Sequence, residues 1–259
     1  VYFSLYGEHV SVAPDSYSRS ALGHRAFVDA LKASNKDVIV SRHRSDEKAG
    51  PDSLVILAEP RIRDQGVHSL YRALLPRTGQ GAQVLLVLPK RRGIADARNS
   101  HWVERTELLP LKDVAGVLPP QMRSLSLRRP ASAGGWKAVG FGGQPVLGTP
   151  QLIVREADLV PVIEADQGVL LGFKITSAGR RIWVLSDPDI LANHGIGDGD
   201  NATLMAEIVS RIAGHRNRIV IDETIHGYSF TPSLWRQLFE LPLLVVSLPA
   251  ILLMLLTAW

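Results

Sequence analysis

RIWVLSDPDILANHGIGDGDNATLMAEIVSRIAGHRNRIVIDETIHG, residues Arg181–Gly227, carries the pattern that decides the fold. Two short apolar runs, Ile182–Leu185 and Ile219–Ile221, flank the amphipathic stretch Asn201–Ala213. Within that stretch Leu204, Met205, Ile208, Val209 and Ile212 recur at helical spacing, and Gly214 ends the helix. Each apolar run stops at a polar cluster. Ser186, Asp187 and Asp189 follow the first, continuing through Asn193 and His194 to Asp200 and Asn201; Asp222, Glu223 and His226 follow the second. Strand ends in α/β proteins are where binding sites are built, so acids, amides and imidazoles gathered there mark a candidate site.

The same alternation runs through the rest of the chain. Asp15–Ser34 is predicted as a first helix, capped by Ser16 or Ser18, with Leu22, Ala26, Phe27, Ala30 and Leu31 on one face. Val38–Val40, Leu54–Leu57 and Val84–Leu88 are continuous apolar runs, as in parallel strands covered on two faces. A second helix carries Val67, Leu70, Tyr71, Leu74 and Leu75. Residues 90–150, rich in Gly, Pro, Ser and Arg, read as an irregular insertion with short strands. Val160–Ile163 and Val169–Ile175 are β-like, and Thr176–Gly179 turns the chain back into Arg181–Leu185 as a hairpin. Strands alternating with helices predict an α/β fold with a mostly parallel sheet and helices on both faces.

The 259 residues are 46% hydrophobic and 21% charged, enough for one sizeable core. Net charge is +4, and the basic clusters Lys90-Arg91-Arg92, Arg128-Arg129 and Arg180-Arg181 lack aromatic interleaving. They read as solvated loops, so no nucleic-acid partner is expected. Leu241–Trp259 carries no charged residue and, as a helix, reaches roughly 28 Å, close to the thickness of a bilayer core. It is expected to be a transmembrane helix, with Pro242 and Pro249 tolerated and Trp259 at the interface. Val1–Tyr6 reads as the exit end of an earlier span. The expected organisation is therefore 1–11 as a span end or linker, 12–236 as the α/β domain, and 241–259 as the membrane helix. The domain is then placed outside the cytoplasm, at the cell membrane.

Several chemistries are absent by inspection. There is no G-x-x-x-x-G-K-[ST], no G-x-S-x-G and no H-E-x-x-H. Gly195–Gly199 is glycine-rich, but Asp198 and Asp200 repel a phosphate. Asp198–Asp200 resembles the start of a calcium loop, yet Ala202 occupies the third ligand position. Asn201-Ala202-Thr203 matches a glycosylation sequon.

Two readings of the polar residues stand side by side. In the first, Asp187 and Asp189 bond nearby backbone N–H groups in a turn, and Asp200 or Asn201 caps the helix that follows. In the second, Asp187 and Asn193 from one strand end meet Asp222, Glu223 and His226 from a neighbouring one in a polar cleft. Asp222 or Glu223 with His226 would there bind a metal or act as acid and base. Ser16, Ser18 and Arg19 at the first helix start would bind an anion, or Arg19 would pair with an acid of the late cluster. No cofactor is expected.

Ser16-Tyr17-Ser18-Arg19-Ser20-Ala21-Leu22-Gly23, Val184–Asp189, Asn193-His194-Gly195, Gly199-Asp200-Asn201 and Asp222-Glu223 with His226-Gly227 together resemble the bacterial domain of unknown function 4350 family. The resemblance runs from about Asp15 to Gly227. It implies a flavodoxin-like sandwich similar to the class I glutamine amidotransferases, flanked by membrane helices. It also implies a place near MoxR-type AAA ATPases in a membrane-associated assembly system. The amidotransferases use a cysteine nucleophile, and these residues include none, so glutaminase activity is excluded. The leading expectation is a membrane-anchored, non-enzymatic domain binding a partner protein or ligand through the strand-end cleft. The rival is a membrane-bound hydrolase or transferase using Asp222, Glu223 and His226.

Overall fold

A computed structural model describes residues 12–228 except 35, 51, 63–67, 69, 72–73, 75–81, 177–178 and 180, together with Pro249, Leu253, Met254, Leu256 and Thr257. In chain order the elements are α1 (Arg25–Ala33), β1 (Asp37–Ser41), α2 (Ser45–Lys48), β2 (Ser53–Ala58), β3 (Gln83–Val87), β4 (Arg91–Ala95), β5 (Val103–Leu108), α3 (Leu111–Ala115), β6 (Leu127–Arg128), β7 (Lys137–Ala138), β8 (Leu152–Ile153), β9 (Val160–Ala165), β10 (Gly168–Ile175), β11 (Arg181–Leu185), α4 (Asn201–Ala213) and β12 (Arg218–Asp222). His68, Leu70, Tyr71 and Leu74 are also helical, within the second helix read from the sequence.

One mixed sheet runs β1-β12-β2-β3-β11-β10-β8-β6, with β9 paired to β10 and β7. Its first five strands are parallel, and β10 turns antiparallel to β11 through the predicted hairpin. Alternate residues of the buried strands face opposite layers, because strand side chains have a period of two. Leu54, Ile56, Leu85, Ile219 and Ile221 pack under α1 and α4. Val55, Leu57, Val84, Leu86 and Val220 pack against Tyr71, Leu74, Val114 and Met122. The strands are apolar throughout because both faces are covered. The hairpin β4–β5 forms a separate two-stranded sheet within the predicted insertion.

The first helix is shorter than its sequence suggests. Only Arg25–Ala33 is helical, and Asp15–His24 forms turns. The Asp15 Oδ1 accepts from the amides of Tyr17 (2.9 Å) and Ser18 (2.8 Å), and the Ser18 hydroxyl donates to Ser20 Oγ at 2.9 Å. Such side chain–backbone bonds compete with the helix. Neither Ser16 nor Ser18 caps α1; its Ala26 amide donates instead to Asn193 Oδ1 at 2.9 Å, from 167 residues away. No helix start exists at Ser16–Arg19 to bind an anion.

Gly23 is where this turn segment closes on itself, since an added Cβ would collide with the Ser18 carbonyl oxygen. Gly23→Ala is expected to cost about 1–3 kcal/mol by overpacking. Gly50→Ala, where a Cβ meets nothing, should stay within about 0.5 kcal/mol. Equal melting of the two variants would refute the close packing of the Asp15–His24 segment.

The chain divides into two compact units, Val1–Tyr228 and Ser229–Trp259. In the second, Pro249, Leu253, Met254, Leu256 and Thr257 are helical, and the Thr257 hydroxyl lies 3.1 Å from Leu253 O and 3.0 Å from Met254 O. Among the described residues no helix is long and apolar enough to cross a membrane. Most of the expected span at 241–259, and all of 1–11, lies outside them.

Candidate functional site

The C-terminal ends of the five parallel strands meet at one edge of the sheet, and two buried polar clusters form there. β11 and β12 are not neighbours, because β2 and β3 lie between them. The expected single cleft of Asp187, Asn193, Asp222, Glu223 and His226 is therefore split.

The first cluster grows from β11. Its Ser186 hydroxyl donates to Gln151 O at 2.7 Å. Asp187 Oδ1 accepts the Asp189 amide at 3.0 Å, the turn read from the sequence. Asp187 Oδ2 accepts the Gln151 amide and the ammonium of Lys90, both at 2.7 Å. The same ammonium reaches Asp189 Oδ2 at 2.6 Å, and Arg91 joins it at 2.8 Å. Lys90 is 0% exposed, so this member of the basic run is no solvated loop residue. It sits just past the end of β3, and the stem of a lysine is apolar enough to bury when its head is paired. Burial and the neighbouring Asp189 charge push the Asp187 carboxyl up, against Lys90. Burial also works against the Asp189 charge, but His194, Lys90 and Arg91 outweigh it and hold that carboxyl below its usual range. His194 is raised chiefly by its contact with Asp189.

The second cluster joins β12 and β2. Glu223 Oε1 accepts the Ser16 amide at 2.9 Å, and its Oε2 meets His226 Nδ1 at 2.7 Å. Arg19 is exposed, and it is the Ser16 amide rather than Arg19 that meets the late cluster. His226 Nε2 lies 3.1 Å from Glu59 O. Both ring nitrogens therefore face acceptors, which is the setting of an imidazolium. Burial pulls the His226 pKa down, yet the bond and charge of Glu223 and the Glu59 carbonyl raise it on balance. Glu59 stands at the end of β2 with a left-handed backbone, φ +47°. Its Oε1 is 3.0 Å from His24 Nε2, and its Oε2 accepts the Lys90 amide at 3.2 Å, which ties the two clusters together. Burial pushes Glu59 up to about 8 and His24 down to about 4, so at neutral pH the pair is uncharged.

Asn193 also donates to Ser18 O and Ser20 O, at 3.0 and 2.8 Å. Asp222 Oδ1 accepts from the Thr224 hydroxyl at 2.6 Å and the Ile225 amide at 3.1 Å; its Oδ2 is buried without a partner. Asp200 makes no side-chain cap to α4. Asn201 is fully buried and bridges Val146 and Gly195, so it is neither the helix cap nor an accessible glycosylation site. Among the described residues no group of three or more His, Asp or Glu is placed to hold a metal ion.

Glu59, His24, Lys90 and Gln151 were missed from sequence. The signal for two of them is present: Glu59 follows Ala58 and precedes Pro60, and Lys90 follows Pro89, each at the end of an apolar strand as Asp187 and Asp222 are.

Beside the second cluster opens a cavity of about 980 Å³. Glu59 and His226 form its floor, Arg91 and Arg92 of β4 with Leu108 of β5 form one wall, and Arg61 stands at the β2 end. No curated protein and no solved structure matches the chain. A family model matches residues 16–209, which takes in the β11 cluster and the Ser16–Gly23 turns and stops before Asp222. The chain belongs to the family described as Domain of unknown function (DUF4350).

Proposed function

We propose that this chain is a membrane-anchored, non-enzymatic α/β domain that binds a partner protein through the cleft at its strand ends. In this reading the sheet and its helices form a glutamine amidotransferase-like sandwich outside the cytoplasm. Residues 241–259 hold it in the membrane, and the partner belongs to an assembly system alongside a MoxR-type ATPase. The uncharged, apolar composition of 241–259 supports the anchor.

One observation carries the binding reading. The two polar side chains on the cavity floor are already engaged: both His226 nitrogens and both Glu59 oxygens have partners within the protein. A general acid or base needs a proton or lone pair free for its substrate. Asp187, Asp222 and Glu223 are buried away from any substrate. What remains open is a large cavity with mixed polar and apolar walls, suited to holding a partner's side chains.

The test is site-specific photo-crosslinking of the full chain in its native membrane. A probe at Leu108, on the cavity wall, is expected to give a discrete adduct. A probe at Ile175, exposed at the opposite end of the sheet, is expected to give none. No adduct at Leu108, together with a metal-dependent rise in Tm that Asp222→Asn abolishes, would replace this reading with the hydrolase.

A further inference from the structure

We infer that the cavity takes an organic oxyanion, a carboxylate or phosphate carried on an apolar body, gripped by the Arg61 guanidinium. It goes beyond the protein-partner reading above and uses the same cavity.

Arg61 is held in place by three features. The left-handed Glu59 and Pro60 turn the chain sharply after β2, and a non-glycine residue at positive φ is strain that the surrounding structure must hold. The Arg61 amide then donates to Ile225 O at 3.3 Å, which ties the segment to the turn after β12. Beyond it the guanidinium lies against Gly227, where an added Cβ would come within 2.7 Å of Nη1. The backbone is thus held, and the exposed side chain lies against Gly227 in the turn after β12.

The charges around it are unequal. Arg91 is paired with Asp189, and Arg92 with Glu107; the acid Asp113 also lines the cavity. Burial pushes Glu59 up to about 8, and His226 is bonded to Glu223. Among the described residues the Arg61 guanidinium has no such partner, and it borders the open cavity. Guanidinium groups bind carboxylate and phosphate through paired N–H donors, and such charge-assisted bonds are the strong ones. The other walls include Pro60, Ile62, Pro89, Leu108 and Leu109, which suit an apolar body rather than a bare ion. The volume of about 980 Å³ is that of a small-molecule site.

The test is a thermal titration of the full chain with hexanoate, hexyl phosphate and uncharged hexanol at fixed ionic strength. At least one of the two anions should raise Tm saturably while hexanol does not, and the stronger one identifies the head group. Arg61→Gln removes one charge-assisted contact and should weaken that response roughly tenfold. Arg128→Gln, an exposed arginine of β6 away from the cavity, should leave it unchanged. The inference falls if neither anion saturates, or if Arg61→Gln responds as the wild type does. Repeating the Leu108 crosslink in Arg61→Gln separates the two readings. An anion response dependent on Arg61 with no protein adduct supports the oxyanion site and sinks the protein partner. An adduct without any anion response does the reverse.

Discussion

Lys90→Met is expected to lower the Tm of the full chain by roughly 10 °C, the effect of losing about 3–5 kcal/mol. The substitution keeps most of the side-chain volume and the apolar stem, so the loss is one of charge. The ammonium lies 2.7 Å from Asp187 and 2.6 Å from Asp189, and neither Lys90 nor Asp187 has any exposed surface. Asp189 retains Arg91 in the variant, but Asp187 is left with backbone amides alone. A buried carboxylate without its counter-charge must either remain at high cost or take up a proton. Adding Asp187→Asn to Lys90→Met removes that stranded charge and should recover a large part of the loss. A single variant that melts with the wild type would mean that the ammonium does not sit between these acids.

His226→Leu should cost about 3–5 kcal/mol at pH 6, because it strands the buried Glu223 carboxylate and frees the Glu59 carbonyl. The size of that gap depends on pH. The folded-state pKa of His226 is raised above 6.5, so the folded protein binds more protons than the unfolded chain between the two values. Its contribution is fully present below about 6.5 and is lost as pH rises through the folded pKa. The difference between wild type and variant should therefore narrow from pH 6 to pH 9 in urea unfolding. Glu59, raised to about 8 with His226 pulling against the rise, also loses stabilisation in both proteins as pH climbs from about 4.5 through 8. His24, lowered to about 4, destabilises both as pH falls from 6.5 towards 4 and leaves the comparison above pH 6 untouched. A gap that stays constant from pH 6 to pH 9 would rule out the imidazolium.

Local pattern was sufficient for some elements and insufficient for others. The sequence places Asn201–Ala213 within its observed bounds, since an amphipathic face closed by Gly214 is set by neighbours within a few residues. It starts the first helix ten residues too early, at Asp15 rather than Arg25. Leu22 fits a helical face, but Asp15 and Ser18 offer the backbone competing bonds, and Asn193 caps α1 from 167 residues along the chain. The sequence has Asp187 and Asp189 bonding nearby backbone N–H groups; Asp189 meets Lys90 and Arg91 instead, whereas Asp187 does bond the amide two residues on. Its partner Lys90 stands 97 residues away in a basic run, and basic runs are ordinarily solvated.

The residues alone established that parallel strands end in acids, amides and imidazoles, because apolar runs and their polar stops are local features. They also showed that no cysteine chemistry was available. Which of those polar groups meet depends on strand order. β2 and β3 intervene between β11 and β12, so the two sets of acids never share a cleft and each finds a different buried partner, Lys90 or His226. Contacts across 97 or 207 residues carry no local periodicity, and only the closed sheet brings them within hydrogen-bonding distance.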